Sequence, residues 1–408
     1  MFNKEIALHL AKLYNDHAFV YIIQIGIGGS STQYFTVAID TGSADTWIPS
    51  SKCPKDICQL ATYDSDLSDT VEFLDTPFSI DYAKGGVKGN YIKETVLIGG
   101  LEVKQQQIGL ASTLDHIKLL SLSKEKFNET PKLDGLLGLG FQGLTAAKNQ
   151  YKPIVMTMYE QRLIQQPLFS IYLNNKEATH GEIIFGGIDP HHYQGDLIYL
   201  PVVPLQTIRM KKGNQPIYAH WALHGQSISI IQSSSYSSFN NDNQQLQQYK
   251  YFFHKKSLFV FDTGSSYTYF PRHLVQSILK AILNDPTQPL IYNKQLGAYE
   301  VHCHHDQSSS IQLDFPIPLH LRNNNNNMKS SLVSVDIPIS NLILPISKRK
   351  CIFGIAPIDQ DEMDPGYDSH MYILGDSVLR SLYLVFDFGK KQIGLAPSKD
   401  QGASVFVV

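Results

Sequence analysis

The tetrapeptide D-T-G-S occurs twice in this chain, and this repeat limits the possible folds more than any other feature of the sequence. The copies span 40–43 and 262–265, and each follows a short run of apolar residues. Their aspartates are 222 residues apart in a chain of 408. Downstream of each copy, the segments 133–140 and 372–380 share an apolar pattern that contains glycine. The economical explanation is a duplicated unit with one copy of the tetrapeptide in each half.

The length of the chain also favours two units. A chain of 408 residues is longer than a single hydrophobic core usually supports, and its 43% hydrophobic and 17% charged residues are typical of a globular protein. We therefore predict an N-terminal lobe at 1–187 and a C-terminal lobe at 188–408. The formal net charge of -3 gives no strong field, so we expect no nucleic-acid partner.

Strand patterns dominate the sequence. Short alternating runs rich in Val, Ile, Tyr and Phe, such as 19–28, are separated by Gly, Asn and Pro. Helical periodicity is clearest at 153–164 and 271–283. Two low-complexity stretches, 232–248 and 323–327, cannot contribute to a core and are predicted to be surface loops of the C-terminal lobe. The fold class that follows is all-β.

Four cysteines indicate disulfide bonds. Cys53 and Cys58 would close a short loop, and Cys303 and Cys351 a long one, which favours an oxidising compartment. The segment V-H-C-H-H-D at 301–306 offers zinc-ligand residue types, but Cys303 has a disulfide partner in Cys351 and adjacent ligands strain the coordination geometry. We expect no metal and no other cofactor.

The N-terminus and the hydropathy of the chain bear on its location. The first 17 residues lack the uninterrupted apolar run of a signal peptide, so the sequence is either a mature form or an incomplete start. No later stretch of about 18 apolar residues is present, so we expect no membrane span.

The paired tetrapeptides indicate a specific kind of chemistry. If the two turns face each other across a pseudo-twofold axis, Asp40 and Asp262 cannot both ionise and must share one proton. The ionised member can then act as a general base on water while the protonated member donates to a carbonyl oxygen. Asp40 and Asp262 are the predicted catalytic residues, and the hydroxyls of Ser43 and Ser265 are predicted to fix their outer oxygens. The remaining supporting residues are Thr41, Gly42, Thr263 and Gly264.

Several segments resemble the pepsin-like family of aspartic endopeptidases, the pepsin and cathepsin D type, over about residues 15–397. These are D-T-G-S-A-D-T-W-I-P-S at 40–50, I-D-Y-A-K-G-G-V-K-G at 80–89 and V-F-D-F-G-K-K-Q-I-G-L-A-P at 385–397. The resemblance implies a bilobal all-β fold, in which two pseudo-twofold-related β-barrel-like lobes enclose an active-site cleft. It also implies hydrolysis of peptide bonds in proteins at acidic pH.

The resemblance also assigns roles to individual residues. It implies that Tyr82 belongs to a flap over the substrate, that Trp47 hydrogen-bonds this tyrosine and that Gly85 contacts the substrate. The flap tip departs from the family pattern at Ala83 and Lys84, and a cation at Lys84 would favour acidic or polar substrate side chains. The substrate-binding residues implied together are Trp47, Tyr82, Gly85, Phe127, Leu136 and Ser266.

Partners and location follow from the same resemblance. It implies protein or peptide substrates, inhibition by pepstatin-type compounds and a monomeric enzyme. The pI of about 6.6 favours a lysosomal or vacuolar role over a gastric one, with secretion as the other location. Asn128, in N-E-T, is a candidate glycan site if the chain is secreted.

Two alternatives stay open at this point. One is a catalytically inactive member of the family that binds peptides or proteins. The other is a glycosidase that uses two carboxylates. Intact D-T-G-S in both copies and the retained Tyr82 favour the protease over the first, and the flap segment favours it over the second.

Overall fold

The computed structural model of the chain describes residues 9–16, 20–58, 61–82, 85–115, 133–174, 181–204, 216–232, 248–255, 257–283, 289–303, 309–318, 332–347, 349–358 and 370–408. Within these ranges β-strands predominate and the α-helices are few and short. The predicted all-β fold class is therefore confirmed. The Asn run at 323–327 lies outside the described residues, as does the 232–248 stretch apart from its two end residues.

The first half of the chain contains ten strands and one α-helix in its described part. They are β1 His9–Asp16, β2 Val20–Ile27, β3 Gln33–Asp40, β4 Trp47–Pro49, β5 Glu72–Tyr82, β6 Gly85–Ile98, β7 Leu101–Asp115, β8 Gly135–Gly138, α1 Ile154–Glu160, β9 Leu168–Tyr172 and β10 Gly181–Phe185.

The described part of the second half contains seventeen strands and two α-helices. They are β11 Ile198–Pro201, β12 Ala222–His224, β13 Ser227–Gln232, β14 Gln248–Phe252, β15 Leu258–Phe261, β16 Thr268–Pro271, α2 Arg272–Ile282, β17 Ile291–Asn293, β18 Ala298–Val301, β19 Ser309–Pro316, β20 Leu332–Pro338, β21 Ile343–Ser347, β22 Lys350–Phe353, β23 Ile355–Ile358, β24 Met371–Leu374, α3 Asp376–Leu379, β25 Leu382–Asp387, β26 Gln392–Pro397 and β27 Ser404–Val407.

Both predicted helices are present, and local chemistry sets their ends. Helix α2 begins directly after Pro271, whose fixed φ suits a helix start, and it buries one apolar stripe that includes Leu274 and Ile278. Helix α1 is shorter than the predicted 153–164 and ends at Glu160. The left-handed conformation of Arg162, with φ of 59°, stops the helical pattern there.

The two halves repeat one strand arrangement around each D-T-G-S turn. In the first half β8 runs parallel to β3 and antiparallel to β4, where Trp47 pairs with Leu136. In the second half β24 runs parallel to β15 and antiparallel to β16, where Tyr269 pairs with Ile373. Trp47 and Tyr269 both lie seven residues after their aspartate. The register therefore repeats along with the sequence, which supports the duplication.

One sheet contains strands from both halves. Its order begins β11-β26-β25-β9-β10-β1, so strands β9, β10 and β1 of the first half continue directly into β25, β26 and β11 of the second. All six residues of β25 are buried, as expected for a strand covered on both faces. The division into two lobes between residues 187 and 188 stays a prediction. The shared sheet connects the strands on the two sides of this division.

The core also crosses between the halves. Trp221 is fully buried, donates from Nε1 to the carbonyl oxygen of Leu139 at 2.9 Å, and packs on Phe141 with ring centroids 4.1 Å apart. Phe169 and Phe386 stack at 4.8 Å within the shared sheet. Among the helices of the described ranges, none has the length and apolar character needed to cross a membrane.

Both predicted disulfides are present. Cys53 and Cys58 are joined with a Cα–Cα distance of 5.9 Å, and Cys303 and Cys351 with one of 5.2 Å. The second bond spans 48 residues and the first only 5. Because Cys303 is bonded to Cys351, its thiolate is not free to bind a metal, and residues 304–306 of the histidine-rich segment lie outside the described ranges.

The difference in loop length gives a stability prediction. Replacing Cys303 and Cys351 by serine should lower the free energy of unfolding by about 4 kcal/mol, because a long loop loses most entropy on closure. Replacing Cys53 and Cys58 by serine should lower it by about 2 kcal/mol. Urea unfolding followed by circular dichroism measures both, and a larger loss for the short loop would contradict the entropic account.

Candidate active site

The first D-T-G-S turn holds its aspartate through two local hydrogen bonds. Asp40 ends β3 and is 6% exposed. The N–H of Gly42 donates to Asp40 Oδ1 at 2.8 Å, and the Ser43 hydroxyl donates to Asp40 Oδ2. The N–H of Gly140, at the end of the 133–140 segment, donates to the carbonyl oxygen of Ser43 at 2.8 Å. Asp40 is therefore fixed before any ligand arrives.

The second turn repeats these contacts. Asp262 directly follows β15 and is also 6% exposed. It accepts from the N–H of Gly264 at 2.8 Å and from the Ser265 hydroxyl at 2.7 Å. The N–H of Asp376 donates to the carbonyl oxygen of Ser265 at 2.8 Å, and the buried Ser266 accepts from the N–H of Ser377 at 3.1 Å. The predicted contacts of Ser43 and Ser265 are thus present in both halves.

Two threonines bind the turns to each other. The Thr41 hydroxyl donates to the carbonyl oxygen of Phe261 at 2.7 Å and accepts from the N–H of Thr263 at 3.0 Å. In return, the Thr263 hydroxyl donates to the carbonyl oxygen of Ile39 at 3.0 Å and accepts from the N–H of Thr41 at 3.1 Å. Each hydroxyl donates one hydrogen bond and accepts another, so the two hydroxyls and the two threonine N–H groups all have partners in the interior.

Glycine after each threonine lets the turns approach. A methyl group on Gly42 would lie 2.5 Å from Asp262 Oδ1, and one on Gly264 would collide with the carboxylate of Asp40. A side chain at either position would therefore displace the opposite carboxylate. The tetrapeptide requires glycine here because of this close approach as well as its turn.

The two carboxyl groups form one electrostatic unit. Burial and the neighbouring charge of Asp262 raise the pKa of Asp40, while hydrogen bonds from Ser43 and Gly42 oppose the rise. A methyl group on Gly264 would lie 2.4 Å from Asp40 Oδ1 and 3.1 Å from Asp262 Oδ1, so the two carboxyl groups are close neighbours. Two carboxylates this close hold one proton between them over a wide pH range.

The flap is a long hairpin of β5 and β6. It closes where Tyr82 pairs with Gly85, and the tip residues between them lie outside the described ranges. Trp47 Nε1 donates to Tyr82 Oη at 3.0 Å, and both side chains pack in one apolar cluster with Leu136. Burial, followed by the charge of Asp40, raises the pKa of Tyr82. Of the six predicted substrate-binding residues, Trp47, Tyr82 and Leu136 therefore pack together, and Gly85 pairs with Tyr82 at the end of the hairpin.

Four of the predicted positions lie outside the described ranges. Phe127 and Asn128 lie in 116–132, and Ala83 and Lys84 lie between β5 and β6 in the chain, all outside the described residues. Ser266 belongs to the second turn rather than to the flap cluster.

Comparison with known proteins decides which family this site belongs to. The model of the eukaryotic aspartyl protease family matches residues 20–398. The chain belongs to this family. Mucorpepsin of Rhizomucor miehei is 28% identical over 385 residues, covering 92% of this chain and 78% of the relative.

Other relatives of the aspartyl protease family have similar lengths of match. Candidapepsin-4 of Candida albicans is 27% identical and covers 91% of this chain and 75% of the relative. Vacuolar protease A of Arthroderma otae is 28% identical, and the match covers 93% of this chain and 78% of the relative. Membership of this family makes the chain an aspartic-type peptide hydrolase and decides against the glycosidase alternative.

A further carboxyl group next to the dyad was not predicted. Asp376, the first residue of α3, is fully buried, and neither carboxylate oxygen has a hydrogen-bond partner among the described residues. Burial and the charge of Asp262 raise its pKa well above the usual value, and the charge of Arg380 opposes this. The only signal in the sequence was the position of Asp376 in the repeated 372–380 segment.

One cluster of the described residues has the spacing of metal ligands. Ligand atoms of Glu182, Asp189 and His192 lie within 4.8 Å of one another. His192 Nε2 is 2.7 Å from Glu182 Oε2, and its ring stacks on Tyr172 at 4.3 Å. These side chains already satisfy one another as a histidine–carboxylate network, and they lie in the shared sheet and the turn after it.

The raised pKa of Asp40 predicts a pH-dependent stability. Its folded pKa lies above the unfolded value of about 3.9, so its stabilising contribution is complete below that value and is lost as the pH rises through the folded pKa. Asp40→Asn removes this loss. As the pH rises from about 4 to about 7, the free energy of unfolding of the Asp40→Asn variant should therefore rise relative to that of wild type. The expected rise is more than about 1.4 kcal/mol, which corresponds to one pKa unit.

Urea unfolding at several pH values measures this difference, and an exposed carboxylate provides the control. Asp69 accepts hydrogen bonds from Ser30, which lower its pKa, so Asp69→Asn should show either no trend or the opposite one. A difference between Asp40→Asn and wild type that stays constant with pH would contradict the burial of a shared proton.

Proposed function

We propose that Asp40 and Asp262 are the catalytic pair of this aspartic endopeptidase and that they activate a water molecule for attack on a peptide bond. The observation that supports the proposal most is the close pair of buried carboxyl groups, each fixed by a backbone N–H and a serine hydroxyl. Because the groups are held in place, little reorganisation is required when charge moves between them.

In the proposed reaction, the single proton of the pair decides the roles. The ionised carboxyl group takes a proton from the water as it attacks the carbonyl carbon, and the protonated group donates to the carbonyl oxygen. The carbonyl carbon then carries two hydroxyl groups, and the pair again holds one proton. When the C–N bond breaks, the pair protonates the leaving nitrogen and one of these hydroxyls returns its proton to the pair as the carboxylic acid forms. No covalent intermediate forms. The proton belongs to the pair rather than to either aspartate alone.

An acidic working range follows from this requirement. The pair must retain one proton, and its burial and mutual repulsion maintain that state in mildly acidic solution. The second proton is bound only at lower pH, which removes the base. Activity should therefore be confined between these two limits, as for other pairs of interacting acids.

Substrate is proposed to lie extended between the flap and the dyad. Tyr82 and Gly85 close the cleft from above, while Trp47 and Leu136 support Tyr82 from the side of β4 and β8. Phe127 and Ser266 complete the proposed set of substrate-binding residues. Closure would exclude bulk water from the reacting bond, which strengthens the electrostatic contacts of the dyad.

The proposal extends to partners, organisation and location. Substrates are proteins or peptides, pepstatin-type compounds are the expected inhibitors, and the enzyme is proposed to be a monomer of two lobes, 1–187 and 188–408, without a cofactor. Relatives are named vacuolar protease A and secreted aspartic protease 4, and we propose that this chain likewise works in a vacuole or outside the cell. The two disulfides are compatible with either place.

Replacement of each catalytic aspartate tests the proposal. Asp40→Asn and Asp262→Asn should each lower kcat/KM by a factor of about 10² to 10⁴ or more, because each removes a proton-transfer group. The measurement is cleavage of a denatured protein and of a fluorogenic peptide between about pH 3 and pH 6, with and without pepstatin. Asp69→Asn, which changes a carboxylate remote in sequence from either turn, should cleave like wild type.

Two results would count against the proposal. Pepstatin-sensitive cleavage that survives in Asp40→Asn would place the chemistry elsewhere. Absence of cleavage by folded wild type across the whole range would instead support the inactive peptide-binding alternative.

A further inference from the structure

Asp45 is a buried carboxyl group that the proposed mechanism does not use. It lies five residues after Asp40, on the loop that leads into β4, and is 1% exposed. Its Oδ1 accepts from Tyr91 Oη and from Tyr151 Oη, each at 2.8 Å, and its Oδ2 accepts from the N–H of Ala146 at 2.7 Å. Three donors therefore converge on one carboxylate inside the protein.

These donors come from separate parts of the first half. Tyr91 lies on β6, the return strand of the flap, whereas Ala146 and Tyr151 lie on the segment between β8 and α1. The backbone of Asp45 is packed against β8, since a methyl group on Gly138 would lie 2.6 Å from its nitrogen. Asp45 thus joins the loop after the catalytic turn to the base of the flap and to a third segment.

The same contacts lead to the flap tyrosine. Trp47, two residues after Asp45, donates from Nε1 to Tyr82 Oη at 3.0 Å. Tyr91 packs edge-on against Phe78 of the other flap strand at 5.2 Å and against Tyr151 at 5.6 Å. The position of Tyr82 therefore depends on a cluster whose polar centre is Asp45.

We propose that Asp45 is a positioning residue, which anchors the base of the flap to the catalytic turn so that Tyr82 closes over substrate in the correct place. Asp45 itself touches neither water nor substrate in this account. It acts through Tyr91 and Trp47. The inference rests on the proposed function, because a flap position has a kinetic consequence only if the dyad beneath it is catalytic.

A carboxylate suits this role better than an amide. One carboxylate oxygen accepts both tyrosine hydroxyls while the other accepts the N–H of Ala146. The oxygen of an asparagine can face either the hydroxyls or Ala146, so one donor at least loses its acceptor in either orientation. Burial raises the pKa of Asp45, and the three donors oppose this shift.

The experiment compares four variants. Tyr91→Phe, Tyr151→Phe and Asp45→Asn remove hydrogen bonds from the Asp45 network. Tyr63→Phe is the matched control, because Tyr63 Oη donates to the buried Glu94 at 2.5 Å in the same half of the chain, and Tyr63 does not belong to the apolar cluster of Trp47, Tyr82 and Tyr91. All four remove a hydrogen bond to or from a buried carboxylate, so thermal unfolding should show comparable decreases in Tm.

Kinetics should separate the control from the rest. We expect kcat/KM for a peptide that fills the cleft to fall about tenfold or more in Tyr91→Phe, Tyr151→Phe and Asp45→Asn, with kcat affected at saturating substrate. Tyr63→Phe should change kcat/KM by less than about twofold when expressed per folded molecule. Combining Asp45→Asn with Tyr91→Phe should cost less than the sum of the two single changes, because they break one network.

A spectroscopic measurement reports on the flap contact directly. The chain has two tryptophans, so Trp47 emission can be isolated in a Trp221→Phe background. Emission should shift in Asp45→Asn and stay unchanged in Tyr63→Phe. If Trp221→Phe does not fold, the kinetic comparison decides alone.

The outcomes separate this inference from the proposed function. If Asp40→Asn and Asp262→Asn are inactive while Tyr91→Phe and Tyr151→Phe behave like Tyr63→Phe, then the dyad is catalytic and Asp45 only stabilises the fold. That result overturns the inference and leaves the function intact. Cleavage that persists in Asp40→Asn would instead overturn the function first.

Discussion

The reciprocal hydrogen bonds of Thr41 and Thr263 are the contact on which the rest of the site depends. Both side chains are almost completely buried, and each provides a donor and an acceptor that no solvent can satisfy. The four hydrogen bonds that they make all cross to the opposite half of the chain. Loss of either threonine hydroxyl would leave its partners in the opposite half buried without that hydrogen bond, at a cost of about 1–3 kcal/mol each. The facing aspartates are therefore held by neutral groups, which do not disturb the charge of the dyad.

Local motifs account for the part of the site that the sequence could predict. Asp40 and Asp262 stand out because a rare tetrapeptide occurs twice, and the serine contacts follow from spacing within one turn. The contact between Trp47 and Tyr82 could be predicted from the resemblance to the pepsin-like family. The two helices could be predicted because apolar periodicity and a preceding proline are local properties as well.

Contacts between distant segments account for what the sequence could not predict. The hydroxyl of Tyr151 reaches Asp45 across 106 residues, and no local pattern distinguishes that tyrosine from the other 21 in the chain. Asp376 likewise became notable only when the fold buried it beside the dyad. The pairing of β9 with β25 could not be inferred either, since both strands are short apolar runs with many compatible partners.

The sheet shared by both halves has a consequence for how the chain is made. Strand β9 pairs along its whole length with β25, so that Leu168 faces Asp387, and β25 also pairs with β26. When the ribosome has finished the first half, β9 still has an open edge, because the strand that covers it follows about 210 residues later in the chain. The N-terminal half therefore remains incomplete until β25 has also been synthesised. Contacts of such long range are slow to form, so the arrival of β25 is a kinetic requirement for the first half as well as a contribution to the core.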